Sequence, residues 1–228
     1  MLPNDDHDQA HTDARAVHRT ELFSDAVLAI AITLLALGLG VSEYHGTALG
    51  DSLISQWPSY VAFLASFVYI AVMWINHHMA FMRVRAVSPA LLWANMGILL
   101  GSVVLTFPTT AIALAFQSGN AADERAAIIL YGGLAALMGV SWVVFFEVLR
   151  RDPSLWIYEG DGAMWRRVTS WAIGGAIGYL VAIAIGLAVP ILGLVMLFVL
   201  VAYRATQSSR ISGRRGASAR HLGQDESA

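Results

Sequence analysis

A run of 36 residues, 168–203, contains no Asp, Glu, Lys or Arg, and it limits what this chain can fold into more than any other feature. Drawn as one helix it would extend about 54 Å, nearly twice the roughly 30 Å hydrocarbon core of a bilayer. It therefore reads as two short spans joined by a tight turn at 186–190. Residues 88–122 and 126–146 are also free of charged side chains, and a span needs only about 20 apolar residues. With 57% hydrophobic and 13% charged residues, the composition argues against a soluble fold and predicts an all-α, polytopic membrane protein.

Six spans account for the chain. The first covers 21–39, the second 58–82, and the third lies within 90–116, with Pro108 as an expected kink. The fourth covers 126–149, and the hairpin in 168–203 supplies the last two. Residues 1–18 are expected to form a polar N-terminal tail, 19–205 the six-span domain, and 206–228 a disordered tail rich in Arg, Ser and Gly. All 14 basic residues are arginine. On the six-span layout Arg15, Arg19, Arg83, Arg85, Arg150, Arg151, Arg166, Arg167 and the arginines after Tyr203 share one side, and Arg125 alone lies on the other. The positive-inside rule then places both termini in the cytoplasm. A five-span chain would send the tail arginines outside. The absence of cysteine rules out disulfides and thiolate metal sites, and no secretory signal of the usual form opens the sequence.

The first span starts at a polar cluster, Phe23-Ser24-Asp25, and continues as an apolar helix without Gly or Pro before Gly38. Phe23, Val27, Ile30, Leu34 and Leu37 recur at intervals of four, three, four and three, so they form one seam on one face. Such a seam serves ordinary helix packing or, where several copies surround an axis, the lining of a cation pore; Thr33 lies beside it. An ionised carboxylate at the start of a span is costly unless paired. The second span ends in Trp74-Ile-Asn76-His77-His78, and antiparallel neighbours bring that end to the depth of Asp25. Ser24 and Asp25 can then accept hydrogen bonds from the Trp74 indole and an imidazole. The plainer alternative is that both merely cap a helix N-terminus. Arg19 stands six residues before Asp25, and Glu147 lies a turn from Arg150 and Arg151.

Adjacent histidines face different sides of a helix, and neither His77 nor His78 has a carboxylate three or four residues later, so no tightly bound metal is expected. There is no T-V-G-Y-G filter, and no Walker loop, G-x-S-x-G or H-E-x-x-H motif. The chain is not expected to be an enzyme, to hold a cofactor or to bind nucleic acid.

The run Arg19-x3-Phe23-Ser24-Asp25-Ala-Val-x-Ala-Ile30-Ala-Ile-Thr33-Leu34-Leu, followed by Trp74-x2-His77-His78, resembles the transmembrane protein 175 family of potassium channels. The motifs lie in the first 85 residues, and the six-span layout extends the resemblance over most of the chain. It implies a single six-span unit that assembles as a homotetramer in a bacterial inner membrane, with the first helix of each subunit lining the pore. By motif position Ile30 would be the tightest constriction, with Leu34 and Leu37 as further apolar layers. Thr33 would bear on selectivity as K+ transits near it and Ile30. Arg19, Phe23, Ser24, Asp25, Trp74 and His77 would hold the pore helices in place. This chain departs from the family at Leu39-Gly40, where many members carry an acid; Glu43 and Asp51 are candidate substitutes.

The expected function is thus a passive, potassium-preferring cation channel whose partners are its own copies, the lipid bilayer, K+ and other monovalent cations. The competing reading is a proton-coupled secondary transporter using Asp25 and His77/His78. Transporters commonly break helices at mid-membrane and show inverted repeats; the first helix is unbroken and no repeat is visible.

Overall fold

The computed structural model describes residues 3–39, 49–157 and 162–203. Glu43 and the 206–228 tail lie outside the described residues, as does Gly40 at the departure from the family pattern. Helix α1 (Pro3–Leu37) starts well before the apolar seam. Residues 3–18, expected as a tail, are the first turns of the same helix. Proline is tolerated at a helix start, and no further Pro or Gly interrupts the run before Gly38. The Thr12 and Thr20 hydroxyls donate to the carbonyls of Asp8 and Ala16 at 2.9 Å.

There follow α2 (Leu49–Ser55), α3 (Trp57–Phe81), α4 (Pro89–Val104), α5 (Thr106–Ser118), α6 (Ala121–Arg151), a short 3₁₀ turn (Pro153–Leu155), α7 (Gly162–Ala188) and α8 (Pro190–Tyr203). Five helical stretches among the described residues are long and apolar enough to cross a bilayer: Asp8–Leu37, Trp57–Phe81, Pro89–Ser118, Ala121–Arg151 and Thr169–Ala188. The third joins α4 to α5 through Leu105. Proline at 108 has no N–H for the Val104 carbonyl, so the helix is interrupted one turn before the proline rather than at it. Ser88 caps α4 by accepting from the Leu91 amide at 3.2 Å. Gly119, at φ 65°, ends α5 in the left-handed region that glycine enters without strain.

The turn anticipated at 186–190 falls at Val189, after which α8 folds back along α7. Two glycines make this possible: a side-chain carbon at Gly193 would collide with the Gly186 main chain, and one at Gly186 would meet Ile128. Close backbone approach of this kind substitutes for the hydrophobic effect, which does not act between helices in lipid. Gly193→Leu is therefore expected to cost about 1–3 kcal/mol through overpacking, read as a lower melting temperature in detergent. Gly174→Leu, which enters open space, should leave the melt unchanged.

Helix α1 packs against α3 and α4, and α6 lies between α4, α5 and α7. The loops after α3 and α6 are zipped together by Arg85 N–H to the Leu155 carbonyl at 2.8 Å and Ile157 N–H to the Arg83 carbonyl at 2.9 Å. Arg83, Arg85, Arg150 and Arg151 thus share one end of the bundle. Glu147 accepts from both Arg150 and Arg151 there, at 2.6 and 2.8 Å. Arg125 lies at the opposite end, where its Nε donates to the Leu187 carbonyl at 2.9 Å and satisfies one of the acceptors left open by the end of α7.

Candidate functional site: the first helix and its anchoring network

Two faces of α1 have opposite fates. Ser24, Leu28, Ala31 and Leu35 are buried against the rest of the subunit. Beside that stripe, Phe23, Ile30, Leu34 and Leu37 are 52%, 56%, 39% and 77% exposed, so the subunit leaves most of the seam without a partner. Val27 is half-buried against the core. Thr33 is exposed among the seam residues, and its hydroxyl donates to the Ile30 carbonyl at 2.8 Å. Its proton is committed to the main chain, which leaves oxygen lone pairs outward.

The buried face is held by a three-helix chain of hydrogen bonds whose directions can be worked out. Ser24 Oγ donates to the Thr20 carbonyl at 2.8 Å, so toward Asn95 it must accept, from Nδ2 at 2.9 Å. That turns Asn95 Oδ1 to His77 Nε2 at 2.8 Å, and the imidazole must donate. Ser24, Asn95 and His77 are all fully buried. His77 stacks on Phe81 with centroids 4.4 Å apart and meets the edge of Trp142 at 6.5 Å. The result ties α1, α3 and α4 together at one depth, where an unpaired polar group costs most.

A more exposed tier lies beside it. Trp74 Nε1 donates to Asp25 Oδ1 at 2.9 Å. His78 Nδ1 lies 2.9 Å from Glu21 Oε1 and its ring stacks on Trp74. The imidazoles therefore do not bond to Ser24 or Asp25, as the sequence suggested; His77 reaches Asn95 and His78 reaches Glu21. Arg19 is exposed and has no ion-pair partner among the described residues. Asn95 and Glu21 are the participants that sequence reasoning passed over. The signal for Asn95 was an amide placed seven residues into an uncharged span, which lipid tolerates only with partners. No cluster of three or more His, Cys, Asp or Glu able to hold a metal occurs among the described residues.

A family model described as the endosomal/lysosomal potassium channel TMEM175 matches residues 19–106, which contain the seam and both tiers of the network. A potassium channel of Streptomyces collinus is 34% identical over 171 residues, covering 75% of this chain and 81% of that one. The crystal structure of a lysosomal potassium-selective channel TMEM175 homolog from Chamaesiphon minutus superposes with a TM-score of 0.73 at 32% identity, covering 84% of this chain and 97% of that one. A human protein named as an endosomal/lysosomal proton channel, TMEM175, is 33% identical over 112 residues, which is 45% of this chain and 21% of the human one.

Proposed function

The chain belongs to the TMEM175 family of ion channels, and from that premise we propose that it is a passive, potassium-preferring cation channel in a bacterial inner membrane. In this reading the subunit is a six-span unit over 19–205, with α7 and α8 as the fifth and sixth crossings, a polar helical extension before it and the 206–228 tail after it. Both termini are cytoplasmic, on the side of the paired arginine loops. Four copies surround an axis, and the exposed seam of α1 faces its own copies across it. Ile30 forms the narrowest ring, Leu34 and Leu37 form further apolar layers, and Thr33 supplies the oxygen nearest the constriction. Ser24, Asp25, Trp74, His77 and Asn95 hold α1 at a fixed rotation, with Phe23 and Arg19 turned toward neighbouring subunits.

The observation that carries the reading is the split of α1 into a packed stripe and an unpartnered apolar seam 39–77% exposed at its last three positions. A seam of this kind serves as a lumen wall when copies close around it, and an apolar ring raises the barrier to hydrated ions and gates by dewetting. Selectivity then has to come from whatever replaces lost water, and the Thr33 lone pairs are the closest replacement.

The test is flux from liposomes containing the purified protein, with potassium, sodium and proton gradients applied in turn. A channel carries potassium down its gradient without a proton gradient. A proton-coupled transporter needs that gradient, and Asp25→Asn would uncouple it. Proton flux without potassium flux would instead match the activity named for the human relative. Thr33→Ala is expected to reduce the potassium-to-sodium flux ratio by about threefold to tenfold while the oligomer stays intact on size-exclusion chromatography. An unchanged ratio contradicts the role given to Thr33.

A further inference from the structure

At the end of α1 away from the arginine loops, a cavity of about 380 Å³ opens between α1, α3 and α5. Leu34, Leu37 and Phe63 form its apolar wall, and Ser59, Thr106, Thr109 and Thr110 its polar one. The protons of these threonines are already used. Thr106 donates to the Val103 carbonyl at 2.9 Å, Thr109 to the Leu105 carbonyl at 2.8 Å, and Thr110 to the Thr106 carbonyl at 3.4 Å. Because the single Thr109 proton is spent, the 2.6 Å contact with Ser66 runs from Ser66 to Thr109. The threonines therefore present oxygen lone pairs with no proton to give, the Ser59 oxygen accepts from Gln117 Nε2 at 2.8 Å, and among the described residues no charged side chain lines the space.

An occupant must match both halves. An anion or a carbonyl compound meets three threonine acceptors and, among the described lining side chains, a hydroxyl proton only at Ser59. A bare ion has nothing to gain from the leucine and phenylalanine wall. A volume in the lower part of the range of small-molecule pockets suits a compact ring or short chain. We propose that this cavity binds a small, uncharged, apolar molecule carrying one hydrogen-bond donor, of the benzyl alcohol class, with its hydroxyl on the threonine oxygens and its body against Leu34 and Leu37. An occupied cavity sits directly behind two seam residues, so binding would alter conduction. That consequence rests on the channel reading, but the binding itself does not.

The experiment therefore reads binding. Protein in liposomes is photolabelled with a diazirine-bearing benzyl alcohol, and adducts are mapped by mass spectrometry, with benzyl alcohol or ethylbenzene as competitor at matched membrane concentration. Adducts are expected in segments 34–39 and 106–113, removed by benzyl alcohol and not by ethylbenzene, which carries a methyl group in place of the hydroxyl. Thr110→Val, which keeps the shape, and Ala113→Phe, which fills the space, should each lower labelling there by about fivefold or more. Equal competition by ethylbenzene, adducts spread evenly over the outward faces of α4 and α7, or undiminished labelling in the Thr110→Val protein would overturn the assignment. Since Thr110→Val removes no volume, it keeps the test decisive even where Ala113→Phe fails to fold.

Discussion

Ile30→Asn is expected to raise cation flux through reconstituted protein about tenfold, the factor that accompanies roughly 1.4 kcal/mol off a barrier, and to bring the potassium-to-sodium ratio toward one. The effect is local. An apolar ring that excludes water forces every ion to shed hydration, and a carboxamide at the same place lets water and ion stay together. Ile30 is 56% exposed and touches little of its own subunit, so the change should not disturb the fold. Leu28→Asn, one face away and fully buried, is the contrasting case. It places an amide among apolar neighbours and should cost expression or melting temperature rather than change selectivity. If Ile30→Asn leaves flux unaltered in folded protein, the seam is not the conduction path.

Asn95→Leu is expected to be the most damaging change outside the seam. It strips Ser24 of its donor and His77 of its acceptor, both at fully buried positions. Each stranded group costs about 1–3 kcal/mol, so the pair should lower the melting temperature by more than about 5 °C and reduce oligomer yield. Asp25→Ala removes a single, more exposed partner of Trp74 and should cost about 1 kcal/mol, with a smaller loss of oligomer. A ranking in which Asp25→Ala is the worse of the two would move the structural weight from the buried tier to the outer one. Differential scanning fluorimetry and size-exclusion profiles of the two proteins decide between these orders.

Much of this arrangement was legible because lipid imposes strict rules. Charge-free runs located the spans. The arginines grouped Arg83, Arg85, Arg150 and Arg151, which the zipped loops place at one end. The excess length of 168–203 called for two spans and a turn; the turn is at Val189, whereas Pro190–Tyr203 is shorter than the five stretches long enough to cross. What the sequence hid were relations that need coordinates. Residues 3–18 are mostly polar, with Ala10, Ala14, Ala16 and Val17 the exceptions besides Pro3, and polarity alone does not distinguish a solvated helix from a solvated coil. Pro108 announced a break but acts through the carbonyl four residues earlier, so the break appears at Leu105. Asn95 lies 71 residues from Ser24 in sequence, and nothing local indicates that their side chains meet. For that reason the sequence pointed an imidazole at Ser24 or Asp25, whereas His77 meets Asn95 and His78 meets Glu21.

The chain contains no cysteine, which makes the most direct test a clean one. Ile30, Leu34 and Leu37 are replaced singly by cysteine, and Leu180, exposed on α7, serves as the lipid-facing reference. Reconstituted proteins are treated with a small, charged, water-soluble thiosulfonate while flux is followed. Cysteines at 30, 34 and 37 should react with the reagent and change flux as they do so, while the cysteine at 180 stays unmodified. Protection of all three from the aqueous reagent, together with ready labelling by a membrane-soluble maleimide, would mean that the seam faces lipid and that no water-filled axis runs beside it.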